Sequence, residues 1–164
     1  MTASWEYSTF LERTAPPLTR YCAAIAGTAD GEDAAQEALI RTWQHRGRIP
    51  TEQAAAVFAY RTAYRLCVDA LRRQKREREA WDRRAEMPQA SARLSEKTIA
   101  ALRQLSPADR AVIYSRVMEE AAYSDIAERM GKTEAWVRKR YSLARKTLQK
   151  LLTEGGEHSG TENT

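Results

Sequence analysis

Only seven glycines and five prolines occur among the 164 residues, and no long run of β-branched residues is present. A sandwich or barrel of short strands needs many more turn formers, so an all-β architecture is excluded. With abundant Ala, Arg, Glu and Leu, the composition predicts an all-α protein. Cysteine is limited to Cys22 and Cys67, each set among apolar or small residues of a helical pattern. Two isolated thiols provide neither a disulfide framework nor a zinc spacing, and both are expected to be reduced and buried. No secretory signal and no apolar run of membrane-spanning length occurs, so a soluble, cytoplasmic protein with no membrane insertion is expected. The two histidines, His45 and His158, fall at a loop edge and in a tail. Glu32, Asp33 and Glu37 crowd one stretch but read as the solvated first turn of a helix. No catalytic residue, metal or cofactor is therefore expected, and the chain does not read as an enzyme.

What the chain has in excess is positive charge, and it is unevenly placed. The formal net charge is +5. Residues 72–84 carry a net +4 and residues 133–150 a net +5, leaving −4 on everything else. Two cationic patches on a mildly acidic remainder fit a polyanion met at two places.

The second patch belongs to a recognisable unit, YSDIAERMGKTEAWVRKRYSLARKTLQKLL at 123–152. Ser124 or Asp125 can cap a short helix whose Ile126, Ala127 and Met130 face inward. Gly131 ends it where a left-handed backbone is cheap only without a Cβ. Thr133 caps a longer helix with an apolar stripe of Val137, Tyr141, Ala144, Leu148 and Leu151. This is helix-turn-helix spacing, in which the second helix enters the major groove and its early turns reach base edges; an ordinary helical hairpin with a solvated cationic face is the alternative. Thr133, Glu134, Ala135, Arg138, Lys139 and Ser142 are the candidates for that reach, with Arg145 and Lys146 further along.

Elsewhere, Trp5, Phe10, Leu11, Leu18, Tyr21, Cys22 and Ile25 predict two short amphipathic helices, with Pro16-Pro17 starting the second. Residues 27–31 read as a turn. A helix over 31–46 then presents Ala35, Leu39, Thr42 and Trp43 inward, and Asp33, Gln36, Glu37 and Arg41 largely outward. After the loop GRIPT at 47–51, a long helix from Glu52 offers Ala56, Phe58 or Ala59, Thr62 or Ala63, Leu66, Cys67, Ala70 and Leu71 as inward positions. Its other side carries Arg61, Arg65, Arg72, Arg73, Lys75 and Arg76, with Phe58, Tyr60 and Tyr64 along the same helix. Aromatics beside arginines suit stacking on unpaired nucleic-acid strands. A buried aromatic row with solvated arginines fits the spacing equally well. Periodicity fades over 80–94, a flexible linker. Ile99, Leu102 and Leu105 start a second domain, Ser106-Pro107 opens its next helix, and that helix buries Val112 and Ile113. The domains are expected at 1–79 and 97–152, with the linker at 80–96 and a disordered tail at 153–164.

Assembled, the chain resembles a bacterial sigma factor of the extracytoplasmic-function (ECF) group of the sigma-70 family. DGEDAAQEALIRTW at 30–43 is similar to the family helix that docks on the clamp of RNA polymerase. The resemblance thus implies core-polymerase binding by Asp33, Gln36, Glu37 and Arg41. FAYRTAYRLCVDALRRQKR at 58–76 is similar to the helix that recognises and opens the −10 element, implying DNA contact by Tyr60, Arg61, Tyr64, Arg65, Arg72, Arg73 and Arg76. The loop around 46–53 corresponds to the segment that captures a flipped base. The stretch from Ala101 through the basic helix resembles the domain that reads the −35 element. The chain departs from the family pattern at Arg65, usually asparagine, at Lys132, usually apolar, and at Trp136, commonly threonine. The implied partners are core RNA polymerase, promoter DNA and an anti-sigma protein. The alternative is a helix-turn-helix regulator that never binds polymerase, which leaves the acidic Gln-Glu helix without a role.

Overall fold

The computed structural model describes residues 4–81 and 96–157. They form seven α-helices: α1 (Tyr7–Ala26), α2 (Thr28–His45), α3 (Glu52–Trp81), α4 (Glu96–Gln104), α5 (Pro107–Val117), α6 (Tyr123–Met130) and α7 (Glu134–Glu157). A 3₁₀ turn at Arg46–Arg48 follows α2. The expected all-α, two-domain architecture is present, α1–α3 making the first domain and α4–α7 the second. Among the described residues no helix is long and apolar enough to cross a membrane.

Several boundaries differ from the sequence expectation. Residues 7–26 form one helix, with Pro16 and Pro17 in its interior. The prolines remove amides that would pair with the carbonyls of Glu12 and Arg13, but both of those residues are exposed, so water can replace the lost bonds. Burial of Phe10, Thr14, Leu18, Tyr21, Cys22 and Ile25 holds the two halves in register. The expected turn at 27–31 shrinks to Gly27, whose φ of 90° ends α1, and α2 begins at Thr28. Gly31 therefore lies inside α2, against the backbone of α1. The linker expected at 80–96 falls mainly on residues outside the described ones. Of its described ends, Ala80 and Trp81 continue α3 and Glu96 begins α4. In the expected tail, α7 runs on to Glu157, and 158–164 lie outside the described residues.

The core is built on small residues of α3. Ala55, Ala59, Ala63, Cys67 and Ala70 are buried, a row at helical spacing that lets α1 and α2 approach closely. The Cys67 thiol lies 3.8 Å from the Cys22 carbonyl, and both cysteines are buried and free. Ile126, Ala127, Met130 and Val137 of the helix-turn-helix, with Ala111 and Val112 of α5, belong to the same apolar cluster as α1–α3. The second domain's separate cluster is only Leu105, Ile113 and Ala144, flanked by Leu102, Tyr141, Leu148 and Leu151. The two domains thus share one hydrophobic interior.

Candidate nucleic-acid and polymerase interfaces

The helix-turn-helix forms as its residues dictate. Gly131 is left-handed, at φ 65° and ψ 36°, and the amide of Lys132 donates to the Ala127 carbonyl at 2.9 Å, closing α6. Thr133 caps α7, its hydroxyl accepting from the Trp136 amide at 3.1 Å. α6 begins differently: Ala122 occupies its cap position, and no side-chain cap forms from Ser124 or Asp125. Val137 and Ala144 are fully buried, while Thr133, Glu134, Ala135, Arg138, Lys139, Ser142, Arg145 and Lys146 are all exposed. Positions 135, 138, 139, 142, 145 and 146 repeat at three- and four-residue spacing, so they share one face. Arg138 is paired with Glu134 at 2.7 Å, and its guanidinium lies 4.5 Å from the centre of the Tyr123 ring.

Two of the departures from the family pattern meet each other. The Lys132 ammonium lies 5.3 Å from the centre of the half-buried Trp136 ring, a cation–π contact at the turn. Lys132 and Trp136 act as one packed pair rather than as two independent anomalies.

Along α3 the expected strand-facing residues divide into three kinds. Arg65, Arg72 and Arg76 are exposed, and their spacing from Arg61 places all four in one stripe. Arg73 belongs to the scaffold: it pairs with Asp30 at 2.7 Å, and Gln74 beside it donates to the Ala26 carbonyl at 2.9 Å. Tyr60, Arg61 and Tyr64 are engaged by the second domain. Tyr60 is 3% exposed, edge-on to Tyr21 and covered by Arg129, whose guanidinium lies 4.1 Å from its ring centre. Burial pushes its phenol well above the ordinary range. Arg61 donates to the Glu128 carbonyl at 2.7 Å. Tyr64 is half-buried and feels both Asp109 and Arg140 of the second domain. In this arrangement Tyr60 is a packing residue, with no free ring face for a base.

The loop before α3 is held from outside. The Trp5 indole donates to the Ile49 carbonyl at 2.8 Å, and Ile49 is buried. Between that loop and α3 lies a hollow of about 360 Å³ lined by Arg48, Ile49, Pro50, Phe58, Arg61 and Arg65, among others. Sequence reasoning had no signal for its floor, because Ile49 and Trp5 meet only through the fold.

On α2, Asp33, Gln36 and Arg41 are exposed and Glu37 is half-exposed. Arg41 and Glu37 form an ion pair at 3.0 Å. Trp43, expected in the core, is instead 45% exposed, and Ile40 is 50% exposed. One edge of the indole meets Tyr7 at 4.8 Å between centroids, and Arg46 stacks 3.4 Å from its centre. The face expected to bind polymerase is therefore amphipathic, with two large apolar groups beside the charged ones. Large apolar groups among polar neighbours, desolvated on binding, are what a protein interface uses as anchors.

Two family models match the chain in order: Sigma-70 region 2 over residues 10–77 and Sigma-70 region 4 over residues 95–148. No curated protein matches the sequence significantly. Among solved structures, the fold is similar to that of the sigma factor RpoE in its co-crystal with the anti-sigma factor NepR from Bartonella quintana. The TM-score is 0.71 at 21% identity, covering 90% of this chain and 96% of that one.

Proposed function

The chain belongs to the sigma-70 family, carrying its region 2 and region 4 in order, and from that premise we propose that it is a transcription initiation factor of the ECF group. In this reading it binds core RNA polymerase in the cytoplasm and directs it to promoters bearing a particular pair of −35 and −10 elements. The polymerase supplies the chemistry, and the chain supplies recognition and strand capture. The observation that carries the reading is the two regions together on one chain, each with an exposed basic face on the helix that its role requires.

The roles divide by surface. Asp33, Gln36, Glu37 and Arg41, with Ile40 and Trp43 beside them, contact core polymerase. Arg138, nearest the turn among the arginines of α7, can make a bidentate pair with guanine in the −35 element, while Arg145 and Lys146 meet phosphates. Arg65, Arg72 and Arg76 track the −10 strand, and the hollow under Arg48 and Arg65 takes a base turned out of the stack. Arg65, cationic where the family has an amide, favours a base edge rich in acceptors. An anti-sigma protein is a further expected partner, since the similar RpoE fold was crystallised with one.

Core binding tests the reading at its least DNA-like surface. Replacing Gln36 and Glu37 together by lysine should abolish co-purification with core polymerase while leaving helicity unchanged. Undiminished binding by the folded double variant would remove this face from the interface.

A further inference from the structure

Two arginines and a second tyrosine converge on one ring of the helix-turn-helix. We infer that Tyr123 is a positioning residue for DNA sequence: its ring, with Glu134, fixes the plane in which the Arg138 guanidinium meets a base. The inference rests on the reading of α7 as the −35 helix, and it names what makes one cation of that helix a reader of sequence.

Tyr123 opens α6 and is half-buried. The guanidinium of Arg116, from α5, lies 4.1 Å from its ring centre. Arg116 is itself tied down, donating from Nη1 to the Ala121 carbonyl at 3.0 Å. Tyr141 of α7 meets the ring edge-on, centres 6.0 Å apart. The ring is thus set by contacts from both α5 and α7. The Arg138 guanidinium lies 4.5 Å from the centre of that ring, and Glu134, one turn earlier, accepts from its Nη2 at 2.7 Å. A planar cation drawn to an aromatic face and tied at one nitrogen to a carboxylate keeps few orientations. Yet the Arg138 side chain remains 59% exposed, so the rest of its N–H fork is open to DNA.

The other cations on the same face are not held. Among the described residues, Lys139, Arg145 and Lys146 form no ion pair and lie over no ring. The difference matches two tasks. A phosphate accepts a cation from many directions and carries no sequence information, so a mobile side chain serves there. A guanine edge presents O6 and N7 side by side and rewards only a coplanar pair of N–H groups. An arginine ordered before binding also avoids the entropy lost when a free side chain is immobilised on its target. The charge beside it acts in the same direction. The Glu134 carboxylate repels a phosphate brought close to the pair, which favours base edges over the backbone for Arg138.

The test measures binding of the full chain, alone and with core RNA polymerase, to duplex DNA randomised at the −35 positions. It reads both the preferred bases and the affinity for each sequence. Tyr123→Leu removes the ring and keeps an apolar side chain, whereas Tyr123→Phe keeps the ring. Tyr123→Leu should lower discrimination about threefold to tenfold at the base pair that Arg138→Ala also relaxes. Affinity for sequences already mismatched at that pair should stay within about twofold of the parent's. Tyr123→Phe should keep the parent's preferences, and Glu134→Ala should relax the same base pair. Combined with Arg138→Ala, Tyr123→Leu should cost no further discrimination, because both remove one contact.

Uniform loss across sequences, additivity with Arg138→Ala, equal loss in the Leu and Phe variants, or a parent chain with no preferred −35 bases would each overturn the inference. If Tyr123→Leu loses helicity, pentafluorophenylalanine at position 123 decides. It keeps the ring's shape but reverses the charge of its face, so discrimination should fall there too, and preferences equal to those of Tyr123→Phe would overturn the account. A chain that shifts its preferred bases as expected yet never binds core polymerase keeps this inference and loses the sigma-factor reading. A chain that initiates transcription with core polymerase and discriminates as well with Tyr123→Leu keeps the reading and loses the inference.

Discussion

At Gly31 the backbones of α1 and α2 touch: a Cβ there would lie 2.5 Å from the Ala23 nitrogen, inside any real contact distance. Because the obstacle is backbone, Gly31→Ala should destabilise the first domain by about 1–3 kcal/mol, the usual cost of overpacking. At Gly47 an added Cβ would meet nothing within 4 Å, so alanine there should be tolerated within about 0.5 kcal/mol. Urea denaturation of the two variants checks the contrast. Hydrogen bonding with the neighbouring Cys67, and then burial, push the Cys22 thiol far above its ordinary range. Raising the pH to about 9, near the ordinary thiol range, should therefore not make it react with a thiol reagent in the folded chain. Both cysteines should react together on unfolding, and prompt labelling of native protein would contradict their placement. That both thiols are buried was legible in the sequence from their apolar neighbours. The close crossing at Gly31 was not, because a glycine near a turn looks the same whether it bends the chain or admits another helix.

Among the elements, α7 was the most legible, since its apolar stripe, its cap at Thr133 and its left-handed Gly131 are all local features. Its exposed arginines lead to a prediction that separates reading from holding. Arg138→Ala should relax preference at one −35 position, worth roughly 1–3 kcal/mol of discrimination. Lys146→Ala should weaken binding to all sequences and lower the salt slope by about one unit or less. Binding to a randomised −35 library at several salt concentrations tests both. Uniform loss from Arg138→Ala, with the preferred bases unchanged, would place that side chain on phosphate. α3 was harder to read, because its pattern admits two neighbouring inward faces. The resemblance puts Tyr60 on the DNA side, whereas its ring meets Tyr21 of α1 and is covered by Arg129 of α6, an element that begins far later in the chain, at Tyr123. Trp43 failed in the opposite direction: it continues the buried stripe of α2 by spacing, but in the last turn, with Tyr7 and Arg46 against it, it stays 45% exposed. That exposure, on the helix that carries Gln36 and Glu37, makes Trp43 a candidate interface residue, which spacing could not show.

For the whole molecule, the division of charge and the order of the two regions carry the functional reading. In the proposed reading the acidic α2, the arginine stripe of α3 and the basic α7 serve three different contacts, the set an initiation factor needs. The shared interior of the two domains was invisible to sequence reasoning, since each helix pattern reports that a face is buried but not by which partner. The most direct measurement is run-off transcription by cognate core RNA polymerase from templates randomised at the −35 and −10 positions, with and without the chain. Transcripts should appear only when the chain is present, from templates sharing two preferred blocks at a fixed separation, and none should appear with the Gln36→Lys/Glu37→Lys variant. A chain that binds such templates yet leaves core polymerase silent would contradict the initiation-factor reading.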